Sequence, residues 1–258
     1  MSTQPMNSGP RDWDADTYDR VSDPQFEWGV EVLNRLDLNG DESAIDAGAG
    51  SGRVTARLAE RLPAGRVLAI DGSPSMIEKA RENLGERADY AVMDLAELEV
   101  PDQVDLVFST ATFHWIADHD NLFRRIHAAL KPGGRLHAQC GGAGNVASLA
   151  AAIASVGARP EYASHLENMP AMWNFAGAEE TAERLRNAGF EQSKVWLEPK
   201  PVTPAEPREY MRSANLGPLL TRLPTALQDP FVDAVSAEME KPLTLDYVRL
   251  NMTARKPA

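Results

Sequence analysis

Apolar residues in this chain follow two rhythms that alternate over its first half. Phe26, Val30 and Leu33 fall on one helical face within residues 24–36. "SAIDAG" (43–48) is a short apolar run that reads as a buried strand. Val54, Leu58 and Leu62 then form a helical stripe ended by Pro63 and Gly65, and "GRVLAID" (65–71) reads as a second strand. "SPSMIEKARENLG" carries a full helix signal, with Ser73 as cap, Pro74 at the first helical position, where a missing N–H is no loss, and Gly85 as the stop. "ADYAVMD" (88–94) and "VDLVFST" (104–110) are the third and fourth strands. A helix through Leu122, Ile126 and Leu130 runs to "KPGG", and "RLHAQC" is the fifth strand. Strands alternating with helices predict a parallel sheet covered on both faces.

After Cys140 the alternation stops, and it resumes with a helix through Ala182, Leu185 and Ala188, ended by Gly189, and a strand "SKVWLE" (193–198). Residues 199–242 hold 8 of the 18 prolines. A proline inside a helix costs about 3 kcal/mol or more, so no long uninterrupted helix is expected there. "YVRLNMTARK" alternates Val248, Leu250, Met252 and Ala254 with polar neighbours, which predicts a half-buried strand near a sheet edge. Residues 1–258 thus read as one domain. Residues 1–23 are expected to form a flexible N-terminal segment, and 141–177 and 199–242 read as insertions into the domain.

Composition narrows the function. Hydrophobic residues make up 43% and charged residues 25%, enough for a sizeable globular core. With 26 Lys plus Arg against 38 Asp plus Glu, the net charge of −12 argues against a nucleic-acid surface, which needs a basic footprint. It leaves a small cation or zwitterion open as a ligand. The single cysteine, Cys140, excludes an intramolecular disulfide and a multi-cysteine metal site and suits a reducing compartment. The opening residues lack the apolar stretch of a signal peptide, and no run reaches the ~18 apolar residues of a membrane span. A cytoplasmic monomer or homodimer without membrane or nucleic-acid partners is expected.

In an open parallel sheet, ligands sit beyond the carboxyl ends of the strands. "AIDAGAGSGRV" (44–54) places Gly48, Gly50 and Gly52 there, behind the strand-ending Asp46. Asp71 ends the second strand 21 residues past Gly50, where an acid accepts the hydroxyls of a ribose. Asp94 ends the third, positioned for an adenine amino group or, more simply, as a helix cap. The spacing is Gly-x-Gly-x-Gly, not the G-x-G-x-x-G of pyrophosphate cofactors. Asp46 would repel a pyrophosphate but favour an ammonium or sulfonium. S-adenosylmethionine therefore fits better than a nicotinamide dinucleotide.

"IDAGAGSG", "LAIDGSPSMIEKAR", "YAVMDL", "VDLVFSTATFHW" and "LKPGGRL" resemble, in order and spacing, the motifs of class I S-adenosylmethionine-dependent methyltransferases over residues 40–140. "WDADTY", "FHWIADHD", "AERLRNAGFE" and "YVRLNMTARK" are more loosely similar to the small-molecule branch of trans-aconitate methyltransferase-like, type 11 proteins. The resemblance implies a Rossmann-like α/β fold. Its seven-stranded sheet is mostly parallel, with an antiparallel last strand beside the fifth, helices on both faces and helical insertions as a lid. It implies that Gly48, Ala49 and Gly50, with Asp46 and Gly52, hold the methionine part of the cofactor. Asp71, Gly72 and Met76 would take the ribose and adenosine, Asp94 and Leu95 the adenine, and Ser109 and Thr110 the sulfonium side. Tyr18 would cover the cofactor.

Methyl transfer needs alignment, and a base only when the acceptor arrives protonated. His114 in "TATFHWIADH" is the candidate base; packing beside Phe113 and Trp115 is the competing reading. His119 reads as a helix-start residue, His127 and His137 as structural, and Cys140 as an inert buried thiol. No metal-ligand spacing appears. Met169, Met172, Trp173 and Phe175, with Tyr210, Met211 and Arg212, would form an apolar lid over the substrate, with Arg212 or Arg53 free for a carboxylate; packing of the insertions onto the sheet is the alternative. The expected function is methyl transfer to a small molecule at oxygen, on a carboxylate or hydroxyl. The alternatives are an S-adenosylmethionine-binding sensor and, less favoured, a nicotinamide-dependent oxidoreductase.

Overall fold

The computed structural model describes residues 23–169 and 171–258. Tyr18 and nearly all of the 1–23 segment lie outside the described residues. In chain order the elements are α1 (Asp23–Asn34), β1 (Ser43–Ala47), α2 (Arg53–Glu60), β2 (Arg66–Asp71), α3 (Pro74–Leu84), β3 (Asp89–Val92), β4 (Val104–Thr110), α4 (His119–Ala129) and β5 (Leu130–Gly141). Then come α5 (Ala147–Gly157), α6 (Pro160–Leu166), α7 (Ala178–Asn187) and β6 (Glu191–Pro199). The short α8 (Pro207–Tyr210) passes through a π-helical Met211–Leu216 into α9 (Gly217–Leu220), and α10 (Thr225–Glu238) and β7 (Val248–Arg255) complete the chain.

The strands form one sheet in the order β3-β2-β1-β4-β5-β7-β6. The first five in that order pair in parallel, and β7 runs antiparallel to both β5 and β6. This is a Rossmann-like architecture. The winding reverses between β1 and β4, so the crevice at their carboxyl ends is the natural ligand site.

The period of two along each strand divides the core. Ile45, Ala47 and Val107 join the cluster beneath α4 and α7, with Phe123, Ile126 and Leu185. Their neighbours Ala44, Leu106 and Phe108 join the cluster beneath α1 and α2, with Leu33 and Leu58. β1 is buried at all five positions because helices cover both faces. Ser73 accepts the N–H of Met76 and Pro74 opens α3, as the sequence predicts.

A third apolar cluster lies outside the sheet. Leu149, Val156, Tyr162, Met211, Leu216 and Phe231 draw α5, α6, the π-helical turn and α10 together over Trp28 and Tyr247. The two stretches that break the strand–helix rhythm, 141–177 and 199–242, share this core.

Three details differ from the sequence expectation. α10 is a 14-residue helix with Pro230 inside it. Pro230 forfeits one backbone bond, but Phe231, Val232 and Val235 are fully buried, each stabilising by about 1.5–3 kcal/mol, which outweighs that loss. β7 lies near the sheet edge as expected, next to the edge strand β6, but it is mostly buried rather than half-buried. Its polar residues Arg249 and Asn251 are only 2% and 1% exposed. Their partners are protein groups: Asn251 Oδ1 accepts from Gln139 at 2.9 Å and from Arg35 at 2.6 Å. Leu130 opens β5, opposite Val104, instead of closing α4.

Candidate functional site

The turn after β1 is pinned from below. The N–H groups of Gly48 and Ala49 both donate to the Ile70 carbonyl, at 2.7 and 2.9 Å. Gly48 has φ +86°, and a Cβ there would collide with the Thr112 side chain, so only glycine fits. At Gly50 a Cβ would meet nothing within 4 Å, because that position opens onto a cavity.

The acids at the next two strand ends are fixed by backbone donors. Asp71 accepts the Gly50 N–H on Oδ2 and the Ser73 N–H on Oδ1, each at 2.9 Å. Its carboxylate therefore ties the glycine turn to the start of α3. Asp94 accepts the Ala96 N–H at 2.9 Å, and so caps a turn while also lining the cavity.

The cavity measures about 700 Å³, within the roughly 300–1,000 Å³ typical of small-molecule sites. Of the residues singled out from sequence, Gly48, Gly50, Asp71, Gly72, Met76 and Asp94 line it, as do Leu95, Thr110, His114, Met169, Met172, Trp173 and Phe175. Asp46, Ala49, Gly52, Ser109 and Tyr210 do not. Asp46 lies beneath the turn, 2% exposed, and accepts the Thr55 hydroxyl at 2.7 Å. Burial, only partly offset by that bond, pushes its carboxyl up to about 7. Ala49 is committed to β2 through its N–H, and Gly52 packs against Leu84. The Ser109 hydroxyl donates to the Ala47 carbonyl at 2.6 Å, bridging β4 to β1 instead of facing a ligand. Tyr210 is 2% exposed in the cap core, its hydroxyl between Gln25 and Tyr247.

The two arginines expected for a carboxylate are engaged elsewhere. Arg212 pairs with Asp229 at 2.8 Å, and Arg53 pairs with Asp23 at 2.7 Å while lying over the Phe26 ring. Arg222 and Arg249 line the cavity in their place. Sequence reading also missed Tyr247, Asn145, Asn215 and Gln25 in the lining. Arg249 and Tyr247 were hidden by the apparent polar–apolar alternation of β7. Asn215 sits in the π-helical turn, a distortion frequent at functional sites.

Charge in the cavity is divided. The lining carboxylates are Asp71, Asp94, Glu97 and Asp118. Asp118 caps α4 between two segments: Asn121 donates to the Ala96 carbonyl at 2.7 Å on one side, and the Asn174 amide donates to the Ala117 carbonyl at 2.9 Å on the other. The lining cations, Arg222 and Arg249, lie toward β7 and the cap.

Between the two ends stands His114, 8% exposed. Its Nδ1 accepts the Gly141 N–H at 3.3 Å. Burial first, then the charge of Arg249, holds its pKa well below the usual imidazole range, so the ring is neutral near pH 7. Trp115 and Phe175 flank it at 5.0 and 5.8 Å between ring centres, and Phe175 stacks on Trp173 at 5.2 Å. The segment carrying Trp173 is tied down by the Asn174 N–H, which donates to the His114 carbonyl at 2.8 Å.

The remaining candidates are structural. His119 is a buried anchor with Nε2 2.9 Å from the Phe113 carbonyl, while Asp118 caps the helix. Burial pushes His137 down to about 4 and the Cys140 thiol up to about 12. Among the described residues, no group of three or more His, Cys, Asp or Glu is placed to hold a metal ion, and no helix is long and apolar enough to cross a membrane.

Residues 44–134 match the family model described as a methyltransferase domain. The trans-aconitate 2-methyltransferase of Methylobacterium radiotolerans is 37% identical over 128 residues, covering 50% of this chain and 49% of that protein. The chain thus spans about half the length of the curated relatives it matches. Among solved structures, the Haemonchus contortus phosphoethanolamine N-methyltransferase 2, in complex with phosphomonomethylethanolamine and S-adenosylhomocysteine, superposes with a TM-score of 0.63 at 21% identity. That match covers 95% of this chain and 57% of the other. A mycolic acid cyclopropane synthase complexed with SAH and CTAB superposes with a TM-score of 0.64 at 14% identity, over 98% and 99% of the two chains.

Proposed function

From the match of residues 44–134 to the methyltransferase-domain model, we propose that this protein binds S-adenosylmethionine and transfers its methyl group to a small-molecule acceptor at oxygen, on a carboxylate or a hydroxyl. The observation that carries the proposal is the convergence of the glycine turn, Asp71 and Asp94 on one cavity, with Asp71 held by the Gly50 N–H. These residues fit the cofactor: the opening at Gly50 admits a ligand against the backbone, and Asp71 and Asp94 bring acceptor oxygens to the cavity lining.

In this reading Asp71 accepts the ribose hydroxyls and Asp94 the adenine amino group. Met76 and Leu95 pack on the adenine, and the backbone at Gly48 and Gly50, with Thr110, positions the methionine portion. When bound, the cofactor supplies a methyl group activated by a sulfonium. The protein's part is alignment and exclusion of water. Trp173, Met172 and Phe175 close the acceptor side as a lid carried by the 141–177 insertion, and the 199–242 insertion backs it. The whole chain, 1–258, works as one unit in this reading. A reducing cytoplasm suits it.

The acceptor is small because the cavity is of small-molecule size and the chain lacks a basic footprint. The trans-aconitate relatives make carboxylates the first acceptors to test. Ligand binding raises thermal stability by RT ln(1 + [L]/Kd), about 2.7 kcal/mol at a hundredfold excess over Kd. S-adenosylmethionine and S-adenosylhomocysteine are expected to raise the melting temperature, and the oxidised nicotinamide dinucleotide to leave it unchanged. Transfer of labelled methyl to trans-aconitate or a panel of acids and phenols then separates an enzyme from a sensor. A shift with the nicotinamide alone would overturn the proposal.

A further inference from the structure

We infer that Arg249 and the Nε2–H of His114 form the acceptor subsite, that it takes a carboxylate arriving already ionised, and that His114 is a hydrogen-bond donor there and not a base. The inference rests on the cofactor reading above and specifies what stands opposite the methyl group.

The first argument is the ring of His114. A neutral imidazole has one donor and one acceptor nitrogen. Nδ1 is occupied as acceptor by the Gly141 N–H, so the proton is on Nε2. No described residue takes that Nε2–H, and His114 lines the cavity. It therefore offers the cavity a donor. A lone pair that could remove a proton is not presented there.

The second argument is register. Arg249 on β7 pairs with Gly141 on β5, the same residue whose N–H fixes His114. The antiparallel strand thus delivers a guanidinium to the carboxyl rim beside the imidazole. It is 2% exposed, lies over the Trp28 ring at 4.8 Å, and its Nε donates to Gln139 at 3.4 Å. These contacts hold the group at a cavity lining to which Asn145, Asn215, Arg222 and Tyr247 also contribute.

The third argument is the placement of the acids. Of the described lining carboxylates, Asp71, Asp94 and Glu97 lie at the adenosine end, and Asp118 accepts the Asn121 N–H at the start of α4. A phenol or ammonium acceptor would need its proton removed, and His114, the described group beside Arg249, presents no lone pair to the cavity for that. A carboxylate has no proton to lose. One of its oxygens forms the O–CH₃ bond as the S–CH₃ bond breaks, the electron pair stays on sulfur, and the products are a methyl ester and a thioether. No proton moves. The ester no longer carries the charge that Arg249 holds, which favours its exchange for a new acid.

The test uses the full chain saturated with S-adenosylhomocysteine. Benzoate, cinnamate and citrate are titrated calorimetrically against their neutral amides, and turnover is followed with any acid that binds. At least one acid should bind while its amide does not. Arg249→Met should weaken that acid by about 10- to 100-fold, the range for a hydrogen bond to a charged group, with S-adenosylhomocysteine affinity unchanged, and Arg249→Lys should recover part of the loss. His114→Gln, which keeps a donor but no base, should recover most of the kcat that His114→Phe loses, with a flat kcat profile above neutral pH. Equal binding of acid by Arg249→Met would overturn the inference, as would His114→Gln falling as far as His114→Phe. So would failure of every acid to bind a protein that does bind S-adenosylhomocysteine. Failure of S-adenosylhomocysteine itself to bind would instead overturn the cofactor reading beneath it.

Discussion

Asp46 illustrates how much one residue's surroundings decide. Its carboxyl is buried under the glycine turn with Thr55 as hydrogen-bond partner, and its pKa rises from 3.8 to about 7. Between those values the folded protein keeps a proton that the unfolded chain has lost. Stability from this group is therefore highest at low pH and falls as pH rises through the window, with the full cost present above about 7. Asp46→Asn keeps an acceptor for Thr55 and removes the titration. In urea denaturation the variant should gain stability relative to the parent between pH 5 and pH 8, by on the order of a few kcal/mol. A difference that does not change with pH would show that Asp46 is not a buried titrating acid. Its burial was not legible in the sequence, which showed only an acid ahead of glycines. Asp71 was legible because strand-end position and spacing fix it without reference to distant parts of the chain. Arg249 was not, because its neighbours Gly141 and Gln139 on β5 and Trp28 on α1 are distant from it in sequence.

At the scale of elements, the turn between β1 and α2 makes a distinction that substitution can read. Gly48→Ala forces a side chain into a left-handed backbone and against Thr112, so it should lower stability by about 1–3 kcal/mol and abolish ligand binding. Gly50→Ala has open space around its Cβ. It should cost about 1–2 kcal/mol of backbone strain at most, while its methyl group intrudes on the cavity. Melting curves with and without S-adenosylhomocysteine would separate the two, and equal loss of stability in both would contradict the geometry. Elements with local signals, such as Ser73–Pro74 at the start of α3, read directly from sequence. α10 did not, because the penalty at Pro230 is local while the burial of Phe231 and Val235 depends on the cap. β7 did not, because its alternation marks a buried polar row that sequence alone cannot tell from a wet face.

Across the whole molecule, the sheet's two cores set the strand ends in place, and the cap brings a third apolar cluster over them. The glycine turn, Asp71, Asp94 and Thr110 lie within a continuous stretch of about 90 residues, which is also the stretch the family model matches. That is why their place on the cavity could be read from motifs. The rest of the cavity lining is assembled from α1, the 141–177 and 199–242 stretches and β7, and depends on the antiparallel return of the last strand. The central claim is that three strand ends together make an adenosyl site. Calorimetric titration with S-adenosylhomocysteine, comparing the parent with a folded Asp71→Asn variant, tests it most directly. One-to-one binding by the parent, weakened about 10- to 100-fold by the loss of the charged acceptor, is the expected result. Absence of binding by the parent, or equal affinity in both proteins, would contradict it.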